Sequence, residues 1–319
     1  MIDQYNRKIE YLRLSVTDRC NLRCRYCMPE SGCNKLRHED ILTFEEILEV
    51  IEALAGLGIR KVRLTGGEPL LRKGIVELIR NIKAVDGIEQ VMLTTNGVLL
   101  NSMMSDLISA GLDGINLSLD TLSPNTFEKI TRRDLFDDVQ SALRKLLNSN
   151  LIVKLNCVPI AGFNDDVIKI AELAHYNNIK VRFIELMPIG CAINFKGIPT
   201  SNIKAQIENI YGKLNPISPT ELQGPARYYK INGFIGQIGF IDAIEHKFCK
   251  YCNRVRLTSN GLLRPCLNSD IYFDLKTFTR AQRGSKDTLR AFYEMIYQKP
   301  KEHQFEKFQN DDMMYQIGG

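Results

Sequence analysis

No run of about 18 apolar residues occurs in the 319-residue chain, so no membrane-spanning helix is expected. The opening stretch, MIDQYNRKIEYLRLSVTDRC, lacks the apolar core of a signal peptide. There is no G-x4-G-K-[ST] loop and no G-x-G-x-x-G, which argues against a P-loop NTPase and a Rossmann dehydrogenase. Internal repeats and low-complexity tracts are absent as well. The net charge of +5 falls short of what a dedicated nucleic-acid binder carries. Basic side chains are then available for a site that takes an anionic small molecule. What remains is an ordinary globular composition, 44% hydrophobic and 25% charged, long enough for a sizeable core.

Nine cysteines stand out against that background. They are not evenly spaced, and with no signal segment they read as reduced thiols of a cytoplasmic protein. Cys33, Cys157 and Cys191 are scattered, as small buried hydrophobes usually are. The other six form two triads. Cys20, Cys24 and Cys27 make a C-x3-C-x2-C run, which puts three thiolates in one loop. Thiolates are the usual ligands of iron–sulfur clusters, which commonly take four. Three ligands leave one iron of a cubane open to a ligand or substrate. The competing reading is structural zinc, which wants four closed ligands. No histidine lies in this loop, and His38 is well beyond it.

Between Tyr11 and about Leu186 strands and helices alternate. Strands are expected at 11–17, 61–65, 90–94, 115–119, 152–158 and 181–186. Helices are expected at 44–57, with Thr43 as N-cap, and at 75–84, 102–110, 136–148 and 165–176. The strands read as near-continuous apolar runs, as in a parallel sheet covered by helices. An incomplete (β/α)6 TIM-like barrel and a doubly wound sheet both fit. In either, ligands collect at the carboxyl ends of the strands. Polar and glycine-rich sets cluster there, at 18–27, 66–68, 94–97, 118–120 and 185–188, which argues for one shared site. After about Ala192 the alternation weakens and prolines punctuate a loop-rich region. A strand is expected at 233–241 and a helix at 287–298. A boundary near residue 240 separates a barrel, 1–240, from a C-terminal extension, 241–319.

That extension holds the second triad, Cys249, Cys252 and Cys266. His246 lies three residues before Cys249, so a Cys3His zinc site stays open here. Between the cysteines runs Asn253-Arg254-Val255-Arg256-Leu257. Two arginines at i and i+2 of an extended segment share a face, and arginine forks match phosphate and purine acceptors. A solvated surface pair is the plain alternative.

With these residues in view, the chain resembles the radical S-adenosylmethionine (SAM) enzymes and, within them, the GTP 3′,8-cyclase family. The resemblance rests on Cys20-x3-Cys24-x2-Cys27 in LSVTDRCNLRCRYCMP, Gly66-Gly67-Glu68-Pro69, RFIELMP at 182–188, GPARYY at 224–229, NRVRLTSNGLLRPCL across the second triad, and the terminal Gly318-Gly319. It covers essentially the whole chain. The fold it implies is the incomplete barrel with an iron–sulfur extension. It implies two [4Fe–4S] clusters, each with an open iron, on Cys20, Cys24 and Cys27 and on Cys249, Cys252 and Cys266. SAM would be split at the first to give a radical that removes H3′ of GTP, after which C3′ attacks C8 of the base. The product would be 3′,8-cyclo-7,8-dihydroguanosine 5′-triphosphate, the first step of molybdenum cofactor biosynthesis. The second cluster would hold the guanine edge.

By the same resemblance Tyr26, Gly66, Gly67, Glu68, Asn96, Ser118 and Met187 are SAM-site residues. Arg13, Lys61, Arg63, Thr94, Lys154, Arg182, Arg254, Val255 and Arg256 are GTP contacts, with Arg254 and Arg256 also at the catalytic centre. The physical case for the cations is that a triphosphate without a P-loop needs side-chain charge. An electron donor and the next pathway enzyme, cyclic pyranopterin monophosphate synthase, are implied partners, and a homodimer is compatible. The Gly-Gly tail is expected to enter the active site. A radical SAM enzyme that modifies a peptide, with an auxiliary cluster, is the alternative.

Overall fold

The computed structural model describes residues 1–33, 36–220, 222, 224–280, 285–305 and 313–318. Six strand–helix units come first in the chain: β1 (Tyr11–Ser15) and α1 (Phe44–Gly56), β2 (Lys61–Thr65) and α2 (Ile75–Ala84), β3 (Gln90–Thr95) and α3 (Leu100–Ser109). They continue with β4 (Gly114–Ser118), α4 (Pro124–Thr131) and α5 (Phe136–Leu147), then β5 (Ile152–Cys157) and α6 (Val167–Tyr176), then β6 (Lys180–Ile184) and α7 (Thr200–Tyr211). The remainder is β7 (Asn215–Pro216), β8 (Arg227–Lys230), β9 (Gln237–Ile241), β10 (Arg254–Leu257), β11 (Leu262–Arg264), β12 (Phe273–Asp274), α8 (Leu275–Arg280) and α9 (Ser285–Tyr297).

One sheet takes the order β12-β11-β10-β1-β2-β3-β4-β5-β6-β9-β8-β7. From β10 to β9 every neighbouring pair is parallel. Strands β1 to β6 follow one another without reversal, which is barrel winding and not the switched order of a doubly wound sheet. Antiparallel strands finish both edges, β11 and β12 on one side and β8 and β7 on the other.

The strands are not continuous apolar runs, contrary to the sequence reading. They alternate. Leu12, Leu14, Val62, Leu64, Val91, Leu93, Ile115, Leu117, Val153, Leu155, Val181, Phe183, Ile238 and Phe240 join the helices in the main core. The residues between them carry Arg13, Lys61, Arg63, Thr94, Asn116, Lys154 and Arg182, which face a cavity. A packed TIM barrel fills its interior with side chains. This one lines its interior with polar groups, because the interior is the ligand site.

Helix starts follow local chemistry. Thr43 caps α1 as expected, in a capping box with Glu46. The region after Ala192 is more regular than the prolines suggest. Helix α7 buries Thr200, Ile203 and Ile207, a helical spacing that the sequence reading missed, as it missed α4. The strand expected at 233–241 begins only at Gln237, because Gly233 turns the chain at φ +87°. Pairing of β10 with β1 joins residues some 240 apart, and nothing local announces it.

Candidate functional site

Both cysteine triads line one cavity at the carboxyl ends of the parallel strands. Cys20, Cys24 and Cys27 lie in the loop after β1, tied down by groups other than thiols. The Arg23 N–H donates to Thr131 O (2.9 Å) and the Arg25 N–H to Ile130 O (3.0 Å). The Arg23 guanidinium donates to the carbonyls of Cys20 (2.6 Å) and Leu22 (2.8 Å). Burial pushes the Cys20 thiol up to about 11 and Cys27 up to about 12, and crowding by the other two sulfurs adds to burial at Cys24. Such thiols become thiolates together only around a cationic centre, which is the chemistry of an iron–sulfur site.

The next loop packs against this one. The Gly67 N–H donates to Thr17 O (2.8 Å) and the Glu68 N–H to Arg19 O (2.7 Å). A Cβ at Gly66, φ +154°, would sit 2.5 Å from Thr17 O, and one at Gly67 would sit 2.3 Å from Arg19 O, so only glycine fits either place. The Glu68 carboxylate accepts from the N–H groups of Asn96 (2.7 Å) and Leu70 (3.0 Å) and from the Thr95 hydroxyl (2.8 Å). Burial still raises it to about 7. The Tyr26 hydroxyl donates to Asp120 (2.8 Å), whose carboxyl burial pushes up to about 6. Gly66, Gly67, Glu68, Asn96, Ser118 and Met187 line the cavity with them.

Cations occupy the inner wall in register. Arg256, Arg13 and Arg63 form one row across β10, β1 and β2, and Arg254, Tyr11 and Lys61 the row beside it. Lys154 stands opposite Asn116 on β4, and Arg182 on β6 opposite Asn156. Burial first, then Arg182, Arg63 and Lys61, brings the Lys154 ammonium down to about 5. Burial also lowers Lys61 to about 8 and Arg13 to about 10. At Tyr11 burial acts in the opposite sense and would raise it, yet Arg63, Arg13 and Lys61 together bring it down to about 7. Buried Arg63 Nη1, Arg182 Nε, Thr94 Oγ1 and Asn116 Oδ1 have no hydrogen-bond partner. Mutually repelling cations, with donors unspent on Arg63, Arg182 and Thr94, make a receptor for a multiply charged anion.

The second triad sits beside Arg254 of this wall and one further cation, Lys299. Lys299 is fully buried, and its ammonium donates to the carbonyls of Arg254 (2.8 Å) and Pro265. Burial would raise the Cys252 thiol, but Lys299 and Arg254 outweigh it and hold the thiol at about 6. Arg7, paired with Asp3 at 2.6 Å, reaches the carbonyls of Cys249 (2.9 Å), Pro300 (2.7 Å) and Lys301 (3.1 Å). It thereby fixes the segment that carries Lys299 to the cysteine turn.

Residues 14–174 match the Radical SAM superfamily, and residues 179–305 match Molybdenum Cofactor Synthesis C. A GTP 3′,8-cyclase of Clostridium perfringens (strain SM101 / Type A) is 42% identical over 323 residues, covering all of both chains. Those of Desulforamulus reducens and Heliobacterium modesticaldum are 46% and 47% identical, again over all of both chains. This chain belongs to the GTP 3′,8-cyclase family. In fold it is similar to Streptococcus suis SuiB bound to S-adenosylmethionine, with a TM-score of 0.67 at 15% identity over 91% of this chain and 67% of that one.

For a member of the cyclase family the site-residue expectations can be placed one by one. Every residue expected in the SAM and GTP sets lines the cavity except Val255. Its side chain is fully buried in the main core, on the opposite face of β10 from Arg254 and Arg256. That is the alternation of an extended strand, and it leaves only the main chain of Val255 near the site. His246 does not join the second triad. It stands half exposed with Nδ1 2.9 Å from Asp242. Among the described residues, no three Cys, His, Asp or Glu side chains are close enough to share a single ion.

Asp120, in the 118–120 set expected at the shared site, lines the cavity, and so do Tyr11, Asn156, Lys299 and His303, which the sequence reading missed as site residues. Asn156 was legible, two positions beyond Lys154 on one strand face. Lys299 and His303 carried no local signal. In the carboxyl-terminal pair, Gly319 lies outside the described residues, but Gly318 touches two arginines that line the cavity. Its carbonyl accepts from Arg256 (2.7 Å) and Arg13 (3.4 Å). With φ +73°, and with a Cβ that would fall 2.7 Å from Thr65 Oγ1, it tolerates no side chain. Gly318→Val is expected to displace the tail and slow turnover at least about tenfold while Tm stays within a few degrees. An unchanged rate would show that the tail carries no catalytic duty.

Proposed function

We propose that this chain cyclises GTP to (8S)-3′,8-cyclo-7,8-dihydroguanosine 5′-triphosphate, the first step of molybdenum cofactor biosynthesis. The observation that carries the reading is the cation wall at the mouth of two thiol triads. Arg13, Lys61, Arg63, Lys154 and Arg182 converge from β1, β2, β5 and β6, and Arg254 and Arg256 from β10. They supply the charge that a triphosphate needs in the absence of a P-loop. A peptide substrate, the alternative weighed for such enzymes, has no use for so many inward cations. The likeness to SuiB is one of fold and does not speak for a peptide.

Cys20, Cys24 and Cys27 fit one [4Fe–4S] cluster and Cys249, Cys252 and Cys266 a second. The cluster held by the first triad would supply one-electron reduction at the SAM end, and the one held by the second would supply Lewis-acid binding at the base end. Glu68 offers a buried carboxylate to the amino group of SAM, held in place by three donors. Gly66 and Gly67 let the backbone come close, and Tyr26, Asn96, Ser118 and Met187 complete that end. Arg254 and Arg256 orient the nucleotide between the two triads, with Thr94 as a further donor. The enclosing wall excludes water and so protects a reactive intermediate.

In this division residues 1–240 carry the SAM end and 241–319 the auxiliary cluster and base. The reaction draws its electron from a separate donor, and the product passes to cyclic pyranopterin monophosphate synthase. Reduced cysteines fit the cytoplasm, and among the described residues no helix is long and apolar enough to cross a membrane. Anaerobic incubation with GTP, SAM and a reductant, followed by mass analysis, is the test. The expected product is an isomer of GTP formed with 5′-deoxyadenosine. Release of 5′-deoxyadenosine while GTP stays intact would overturn the substrate assignment.

A further inference from the structure

Asn116 stands on β4 and faces the cavity, with only 2% of its surface exposed. Its Oδ1 is buried and has no hydrogen-bond partner. An amide oxygen can only accept. A buried acceptor left unmade is costly, so one in a ligand cavity implies a donor that arrives with the ligand. The triphosphate is not that donor. Its ionised oxygens accept, so the group that satisfies Arg63 and Arg182 can do nothing for Asn116 Oδ1.

The place of Asn116 in the wall says which part of the nucleotide reaches it. Thr94, Asn116 and Lys154 form one row across β3, β4 and β5. The row of Arg13 and Arg63 meets β3 at Met92, two positions before Thr94. Beneath Asn116 the wall is closed. A Cβ at Gly114 would fall 2.5 Å from Ile152 O and 2.7 Å from Met92 Cε, so backbone and methionine already fill that space. Toward the carboxyl ends of the strands, the next inward positions are Asn96 and Ser118, and both line the cavity at the SAM end. Asn116 therefore lies between the phosphate cations and the SAM end. In a nucleotide whose C3′ is attacked from the SAM end, the ribose is the part that spans this interval. Its hydroxyls are donors.

We propose that Asn116 holds the ribose: Oδ1 accepts a hydrogen bond from a hydroxyl of the 2′,3′-diol. This rests on the GTP reading above. Thr94, beside it, carries a hydroxyl that can donate or accept and so does not discriminate, whereas Asn116 Oδ1 needs an O–H. A site built to bond a hydroxyl rejects the analogue that lacks it, because its buried polar group stays unpaired. Asn116 is then a specificity-determining residue for the sugar. By fixing the ribose it also presents C3′ to the SAM end.

The experiment is equilibrium binding of GTP, 2′-deoxyGTP and 3′-deoxyGTP to the anaerobic holoenzyme, with iron counted on each sample. Wild type is expected to bind one of the deoxy analogues about five- to tenfold more weakly than GTP, one hydrogen bond's worth. The analogue that suffers names the hydroxyl. Asn116→Leu, close in shape but without an acceptor, is expected to bring that ratio to within about twofold of unity. Asn116→Asp keeps an acceptor and is expected to keep the ratio, even where its charge shifts the affinity for all three nucleotides. Iron content should match wild type in both variants. Wild-type protein that binds all three nucleotides alike would overturn the assignment. So would an Asn116→Leu whose loss is shared equally by all three, which would assign Asn116 to Lys154 and the phosphates. Loss of iron or of folding in both variants would make Asn116 structural and overturn it as well. Wild-type protein that fails to bind GTP at all would instead sink the GTP reading itself.

Discussion

Cys24→Ser is expected to abolish SAM cleavage and to remove about four of roughly eight irons per chain. The side chain is partly buried, and its loop does not depend on it. The Cys24 carbonyl still accepts from the N–H groups of Cys27 (2.9 Å) and Met28 (3.1 Å) whatever the side chain. Arg132 continues to hold the carbonyl of Arg23 (2.9 Å), and it adopts φ +56° to end α4 and reach it. The loop should therefore keep its shape and lose only its third ligand. Serine is isosteric but, with its far higher pKa, remains a neutral hydroxyl where a thiolate is needed. Cys157→Ser is a useful contrast, because Cys157 is fully buried in the main core and outside the cavity. It should cost some stability and leave cleavage intact. Retained 5′-deoxyadenosine production in Cys24→Ser would overturn the assignment of the first triad. Loss in both variants would point to a general folding defect.

How much of this was legible in the chain depends on range. The first triad, the Gly66–Glu68 turn and the strand ends are each local, and the order β1 to β6 follows from short alternating segments. The i, i+2 rule placed Arg254 and Arg256 on one face and would have placed Val255 on the other. Motif likeness put Val255 in the site as well, and the strand geometry turns its side chain to the core and leaves its main chain beside the two arginines. The apolar runs were misread because a buried polar face looks apolar when only frequencies are weighed. Lys61 and Arg63 interrupt KVRLT at every second place, and the period of two was visible.

What stayed hidden is what long-range pairing creates. Arg256 meets Arg13 only because β10 lies beside β1. Lys299 reaches Arg254 across 45 residues, and Arg7 reaches Cys249 across 242, most of the chain. No spacing rule connects such residues, and a lone Lys-Pro or a basic residue near the start carries no signature. His246 illustrates the converse. It has the right spacing for a ligand and the wrong direction, because Asp242 and Arg227 engage one another beside it and Asp242 holds it outside.

Lys154→Met is expected to stabilise the substrate-free protein while weakening GTP binding. Burial, reinforced by Arg182, Arg63 and Lys61, lowers the ammonium from 10.5 to about 5. At neutral pH the folded, empty site therefore holds Lys154 without its proton, and the unfolded chain holds it with one. The unfolded state binds more protons between about pH 5 and 10.5, so this group makes stability rise with pH across that window and depresses it at neutrality. Methionine keeps the length and removes the penalty. The gain should be a few kcal/mol at most near pH 7 and should raise Tm by a few degrees. The plot of Tm against pH should flatten in the same window. GTP reverses the balance. Its phosphates restore the proton to Lys154, so wild-type binding takes up a proton and weakens as pH rises. The variant loses that charge, and its affinity should fall about ten- to a hundredfold with a shallower pH dependence. Calorimetry in buffers of different ionisation enthalpy reads the proton directly. A lower Tm in Lys154→Met would show that the ammonium is ionised and satisfied in the empty site. The cation wall would then be a structural ion cluster, and not a receptor that trades stability for a triphosphate.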